Sequence, residues 1–163
     1  MDMNKAFTTA LSFEKKGRQI YLEAAKKTKN QIVAKTFEYL AEQESNHINE
    51  IKGYVKEHKI ELKGDTLEDT KRFFSMTVDE YQAKANLTND DLKAHDAALE
   101  LEQQSYDFYK EQHDNTDDAE LKNFFRFLMG QENAHYALVQ NAYNFIKNPE
   151  HFYAEEEKWT MEG

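Results

Sequence analysis

Glu132 and His135 stand three residues apart in the stretch FRFLMGQENAH, Phe125–His135. On an α-helix that spacing puts a carboxylate and an imidazole on one face. The same face runs back through Leu128, Phe125 and Leu121 and forward through Val139, Ala142 and Ile146. Titratable groups inside an apolar stripe are rare unless they are paired or hold a metal. A second stretch, FEYLAEQESNH, repeats the pattern: Phe37, Leu40, Gln43, Glu44 and His47 match Phe125, Leu128, Gln131, Glu132 and His135 at a constant offset of 88. Upstream, Ala10, Leu11, Glu14 and Tyr21 match Ala98, Leu99, Glu102 and Tyr109 at the same offset. In each half the first Glu precedes the His by 33 residues.

Two copies of one helix–helix unit would bring Glu14, Glu44, His47, Glu102, Glu132 and His135 together at mid-bundle. Four carboxylates in a confined apolar space repel one another and take up protons unless cations cancel their charge. The set is the one helix bundles use for a pair of metal ions: one Glu from each of two helices, and Glu-x-x-His from each of the other two. Glu44 and Glu132 are expected to bridge the pair, with Glu14 and His47 completing one metal and Glu102 and His135 the other. Oxygen and imidazole donors without thiolate suit iron or manganese, or a mixed pair. A lone Glu-x-x-His is ordinarily a surface pair, but two copies centred on apolar stripes are not. Tyr21 and Tyr109, two turns past Glu14 and Glu102, are either core tyrosines or donors to a facing carboxylate. His95, one heptad before Glu102, reads as a core or supporting histidine. Gly17 and Ser105 share one position of the repeat. The glycine either leaves room for a small oxidant or permits close helix packing.

Four long helices must hold these groups. The first is expected over about Asn4–Lys29, with the stripe Phe7, Ala10, Glu14, Gly17, Tyr21 and Ala24. A short turn at Asn30 returns the chain into a second, Ile32–Glu57, whose stripe is Val33, Phe37, Leu40, Glu44, His47, Ile51 and Tyr54. Glu38, Glu42, Glu50 and Lys56 read as solvated. Periodicity weakens over about 58–90, a connection long enough to cross from one end of a bundle to the other. Within it, Leu67–Ala85 is expected to hold a short helix or two, with Phe73, Phe74, Met76, Val78 and Tyr81 packing inward. Asn89 or Asp90 is the expected N-cap of a third helix reaching about His113, with the stripe Asp91, His95, Ala98, Glu102, Ser105 and Tyr109. The DNTDD turn then leads into a fourth, Ala119–Lys147, which Asn148-Pro149 stops. His58, His113 and His151 read as solvent-facing. The tail from about 148 to 163 carries Phe152, Tyr153 and Trp159, apolar surface enough to dock. The expectation is an all-α four-helix bundle of two hairpin repeats with a long crossover between its second and third helices, a single domain over residues 1–163.

With 163 residues, one Pro and five Gly, the chain can bury a full helical core. A net charge of −10 argues against nucleic acid and against an anionic membrane surface. The absence of Cys excludes disulfides and thiolate sites and fits a reducing compartment. No apolar run reaches the roughly 20 residues of a membrane span, and the opening MDMNKAFTTALSF has no signal-peptide core. A cytoplasmic protein is expected.

The A-L-x-x-E…Y and Q-E-x-x-H motifs of both halves, with the closing EEEKWTMEG, resemble the ferritin-like diiron-carboxylate superfamily, specifically its rubrerythrin-type branch. The likeness covers Ala6–Ile146. Two departures stand out: there is no cysteine-ligated rubredoxin iron domain, and Ser105 occupies the place of an additional family glutamate. The resemblance implies two iron ions and an oxidoreductase that reacts with O2 or hydrogen peroxide, as peroxidase or ferroxidase, in oxidative-stress defence or iron handling. Its electron donor would be an external electron-transfer protein, and its assembly a homodimer. The alternative is a non-enzymatic iron-binding or iron-storage protein of the same superfamily.

Overall fold

The computed structural model describes residues 3–57, 64–81 and 88–148. Those residues form five helices: α1 (Met3–Lys27), α2 (Gln31–Glu57), α3 (Leu67–Tyr81), α4 (Asn89–Asn115) and α5 (Ala119–Lys147). The four long ones are the sides of an all-α, ferritin-like bundle. α1 packs along α2 and α4 along α5, and each hairpin meets the other through α1 on α4 and α2 on α5. α3 lies within the crossover and packs on α5 and α2.

The helix boundaries follow from local chemistry. Asn30 accepts hydrogen bonds from the amides of Ile32 (2.9 Å) and Val33 (3.1 Å), so the turn residue caps α2. Thr66 and Asp69 bond reciprocally at the start of α3, as Thr88 and Asp91 do at the start of α4. The cap of α4 is therefore Thr88, not the expected Asn89 or Asp90. Its hydroxyl reaches the third amide while Asp91 reaches back. α4 also runs to Asn115, two residues into the polar turn, before Asp118 caps α5 through the Leu121 amide at 3.0 Å.

The stripes bury largely as expected, with Ala24 and Phe73 half-buried, and two residues depart outright from expectation. Met76 is 65% exposed, because Phe74 and Val78, each two positions away, occupy the inward face of α3. Phe74 sits edge-on to Phe145 of α5 (ring centroids 6.0 Å apart), and Phe73 stacks on Tyr39 of α2 (4.1 Å). Glu50, expected in solvent, is buried, because it lies one turn past His47 on the inward face of α2. His113 is half-buried, with Nδ1 3.0 Å from Asp114 and Nε2 3.4 Å from Arg126. Expectations for His58, His151, the Tyr81 side chain and the aromatic tail fall outside the described residues.

The core has two apolar clusters. One gathers Tyr21, Val33, Phe37, Leu40, Phe74, Ala98, Leu138 and Phe145. The other gathers Phe7, Ile51, Tyr54, Tyr109, Phe124, Phe125 and Leu128. Neither contains the six chemical residues, which form a polar layer of their own. Among the described residues, no helix is long and apolar enough to cross a membrane.

Candidate metal centre

All six residues come together. Glu14 on α1, Glu44 and His47 on α2, Glu102 on α4, and Glu132 and His135 on α5 are each 3% exposed or less. They form two overlapping groups, Glu14–Glu44–His47–Glu132 and Glu44–Glu102–Glu132–His135, each with ligand atoms within 4.8 Å of one another. Glu44 and Glu132 belong to both groups. His47 Nδ1 lies 3.2 Å from Glu14, 3.4 Å from Glu132 and 3.9 Å from Glu44. His135 Nδ1 lies 3.5 Å from Glu44 and 3.6 Å from Glu102. The two imidazoles stack with centroids 5.2 Å apart, both turning Nδ1 toward the carboxylates.

The two tyrosines are donors, and each reaches across to the other repeat. Tyr21 of the first half donates to Glu102, and Tyr109 of the second donates to Glu14 at 2.5 Å. Burial and the adjacent glutamates raise both phenols well above their ordinary range, so they stay protonated and donate.

Electrostatics divides the four carboxyls. Burial, then the charges of their neighbours, pushes Glu44 and Glu132 well above the usual carboxylate range. Burial works to raise Glu14 as well, yet the facing His47 and hydrogen bonds from its neighbours hold it at about 2. Glu102 is lowered similarly: its contacts with Glu132, His135 and Tyr21 outweigh burial. Burial alone would lower His47, but Glu14 overrides it and raises the imidazole to about 9. Without metal, the shared carboxyls hold protons and the outer pair carries the charge.

A pH dependence follows. Glu44, Glu132 and His47 bind protons more tightly folded than unfolded. Each therefore stabilises the metal-free fold at low pH and stops doing so as pH rises through its raised folded value. For His47 that loss runs from 6.5 to about 9. Thermal melts of metal-free protein are expected to show a lower Tm at pH 9 than at pH 6.5, and His47→Gln should lessen the slope. A flat profile in the wild type would contradict the buried pairing.

His95 is fully buried but joins neither group. Its Nδ1 bonds to the Asp91 carbonyl at 2.6 Å, and its ring lies 5.0 Å from Phe37, with burial lowering its pKa. The repeat places Phe7 at the equivalent position. At Gly17, a Cβ would lie 3.2 Å from Leu101 and 3.5 Å from the Glu44 carboxyl carbon, so close packing accounts for the glycine. Ser105 faces inward, 4% exposed.

Four residues that carry no role in the sequence expectations contribute to the site. Gln131 Oε1 lies 3.3 Å from His47 Nε2, and Gln131 Nε2 donates to the Asp65 carbonyl at 2.9 Å. The charge of Glu50 helps raise His47. A signal existed for two of them: Gln131 recurs as Gln43, and Glu50 falls at the repeat position of the buried Leu138. Gly64 and Asp65, in the crossover, had none.

The donor set suits a metal. Oxygens of Glu102 and Glu132 and both ring nitrogens of His135 are buried without a hydrogen bond among the described residues, an arrangement that is costly unless a cation completes it. A family model described as Rubrerythrin matches residues 5–143. No curated protein and no solved structure matches the chain.

Proposed function

The chain belongs to the rubrerythrin family, and from that premise we propose that the buried cluster holds two iron ions in an oxidoreductase acting on O2 or hydrogen peroxide. The observation that supports this most is the pair of ligand groups sharing Glu44 and Glu132. Glu14 with His47 would hold one ion, Glu102 with His135 the other, and the shared carboxylates would bridge. When bound, the iron pair supplies the electrons that reduce the oxidant, and an external electron-transfer protein returns them. Tyr21 and Tyr109 fix the outer carboxylates, leaving their second oxygens for the metal. The two apolar clusters on the bundle axis keep bulk water from the layer between them. A cytoplasmic homodimer is the setting we propose.

Aerobic addition of Fe(II) to metal-free protein, followed in the near-UV, tests the reading. Oxidation faster than in buffer, saturating at about two ions per chain, is expected. No acceleration would overturn it. A large closed shell in solution, in place of a dimer, would favour storage.

Ser105 bears on which oxidant is preferred. In the family pattern a glutamate at this place gives one iron an exchangeable ligand, and a serine hydroxyl is too short and too weak a donor to replace it. The diferrous protein is therefore expected to react with both O2 and peroxide in stopped-flow mixing. Ser105→Glu should raise the preference for peroxide, at some packing cost in this buried position. A wild type that already reacts with peroxide orders of magnitude faster than with O2 would sink the argument from Ser105.

A further inference from the structure

The halves of the site repeat in sequence but differ in what stands behind the imidazoles. Behind His47, Nε2 meets Gln131 Oε1 at 3.3 Å. The Gln131 amide is itself held by its 2.9 Å bond to the Asp65 carbonyl, which fixes its oxygen toward the ring. That oxygen can only accept, so it keeps the hydrogen on Nε2 and a metal displaces the proton on Nδ1 alone. Behind His135, neither ring nitrogen has a hydrogen bond among the described residues, and Oε1 of Gln43, the repeat partner of Gln131, has none either.

The difference originates in the crossover. Asp65 accepts from the Tyr39 hydroxyl, and Tyr39 stacks on Phe73 of α3, so the segment is tied to both α2 and α3. Gly64 then lies so close to Gln131 that a Cβ would stand 2.1 Å from Oε1 and 2.7 Å from Nε2. Only glycine lets the backbone rest there with the amide in place. We infer that Gln131, held by Gly64 and Asp65, is a positioning residue that makes the two metal positions unequal. The His47 position binds more tightly and fills first, whereas the His135 position is weaker and exchangeable. This rests on the two-metal reading above.

Anaerobic calorimetric titration of metal-free full-length protein with Mn(II) tests it. The wild type should show two binding steps. Gln131→Leu should weaken the tighter step by roughly 10- to 100-fold, the usual effect of losing a partner behind a ligating histidine, and leave the weaker step in place. Gly64→Ala should act on the same step, since the amide has to swing off both partners. It is the gentler probe, because Gly64 is exposed and the displaced group is the free end of a side chain. Gln43→Leu should change neither step. Matching helical circular dichroism of the metal-free variants separates this from misfolding. Two equal steps in the wild type, or equal weakening by Gln43→Leu and Gln131→Leu, would overturn the inference and leave the two-metal reading standing. A wild type that takes up no Mn(II) or Fe(II) would overturn both.

Discussion

Glu44→Ala and Glu132→Ala are each expected to lower the metal content of Fe(II)-reconstituted protein from about two ions per chain to one or fewer. Each carboxylate belongs to both ligand groups, so its loss removes a donor from both positions at once. Glu14→Ala, by contrast, takes a donor from one group only. Misfolding can be told apart from ligand loss. In the metal-free fold Glu44 and Glu132 hold protons and hydrogen-bond to Glu14 and Glu102 respectively, so alanine removes the cost of a buried carboxyl but also breaks a hydrogen bond. The metal-free variants should therefore melt modestly lower, by the lost hydrogen bond and the small cavity, and keep the wild-type helical circular dichroism, while the metal-loaded ones lose most of their gain. Unchanged stoichiometry in both variants would rule out the bridging assignment, and a matched change at the exposed Glu38 should have no effect.

The second large effect is on stability. An ion that binds only the folded chain stabilises it by about 4 kcal/mol at a thousand times its Kd. In a chain of this length each kcal/mol moves Tm by roughly 2–4 °C. Saturating Fe(II) or Mn(II) should then raise Tm by on the order of 10 °C per tightly held ion. Protons on Glu44, Glu132 and His47 occupy the places a metal would take. The gain should accordingly shrink as pH is lowered, with protons released on binding. Equal melting temperatures with and without saturating metal would mean that the cluster is no metal site.

Much of this is legible in the sequence, for a physical reason. The apolar period of each helix is 3.6 residues, so Phe37, Leu40, Glu44, His47 and Ile51 could be placed on one face from spacing alone. The 88-residue echo then said which faces meet. The reading failed where the period was not the deciding quantity. The charge of Glu50 points to solvent, although its place one turn past His47 and its repeat partner Leu138 both put it inside. The hydrophobicity of Met76 points inward, but the neighbouring Phe74 and Val78 take the one inward face a 15-residue helix offers. The Gly64–Gln131–His47 contact depends on where an irregular segment lands 67 residues before its partner. No local pattern encodes that.

The crossed tyrosines make each hairpin depend on the other. Each hairpin lends its hydroxyl to the carboxylate of the other, Tyr21 to Glu102 and Tyr109 to Glu14. A solitary hairpin would leave both groups unmet, whereas two identical hairpins associating face to face would satisfy both at once. Such a pair would be complete in itself, in need of nothing but symmetry. Joining the copies in one polypeptide removes the need for them to stay alike, since a change in one is no longer made twice. Phe7 opposite His95, Gly17 opposite Ser105, and a crossover that braces one imidazole but not its twin are differences that a true homodimer of hairpins could never hold.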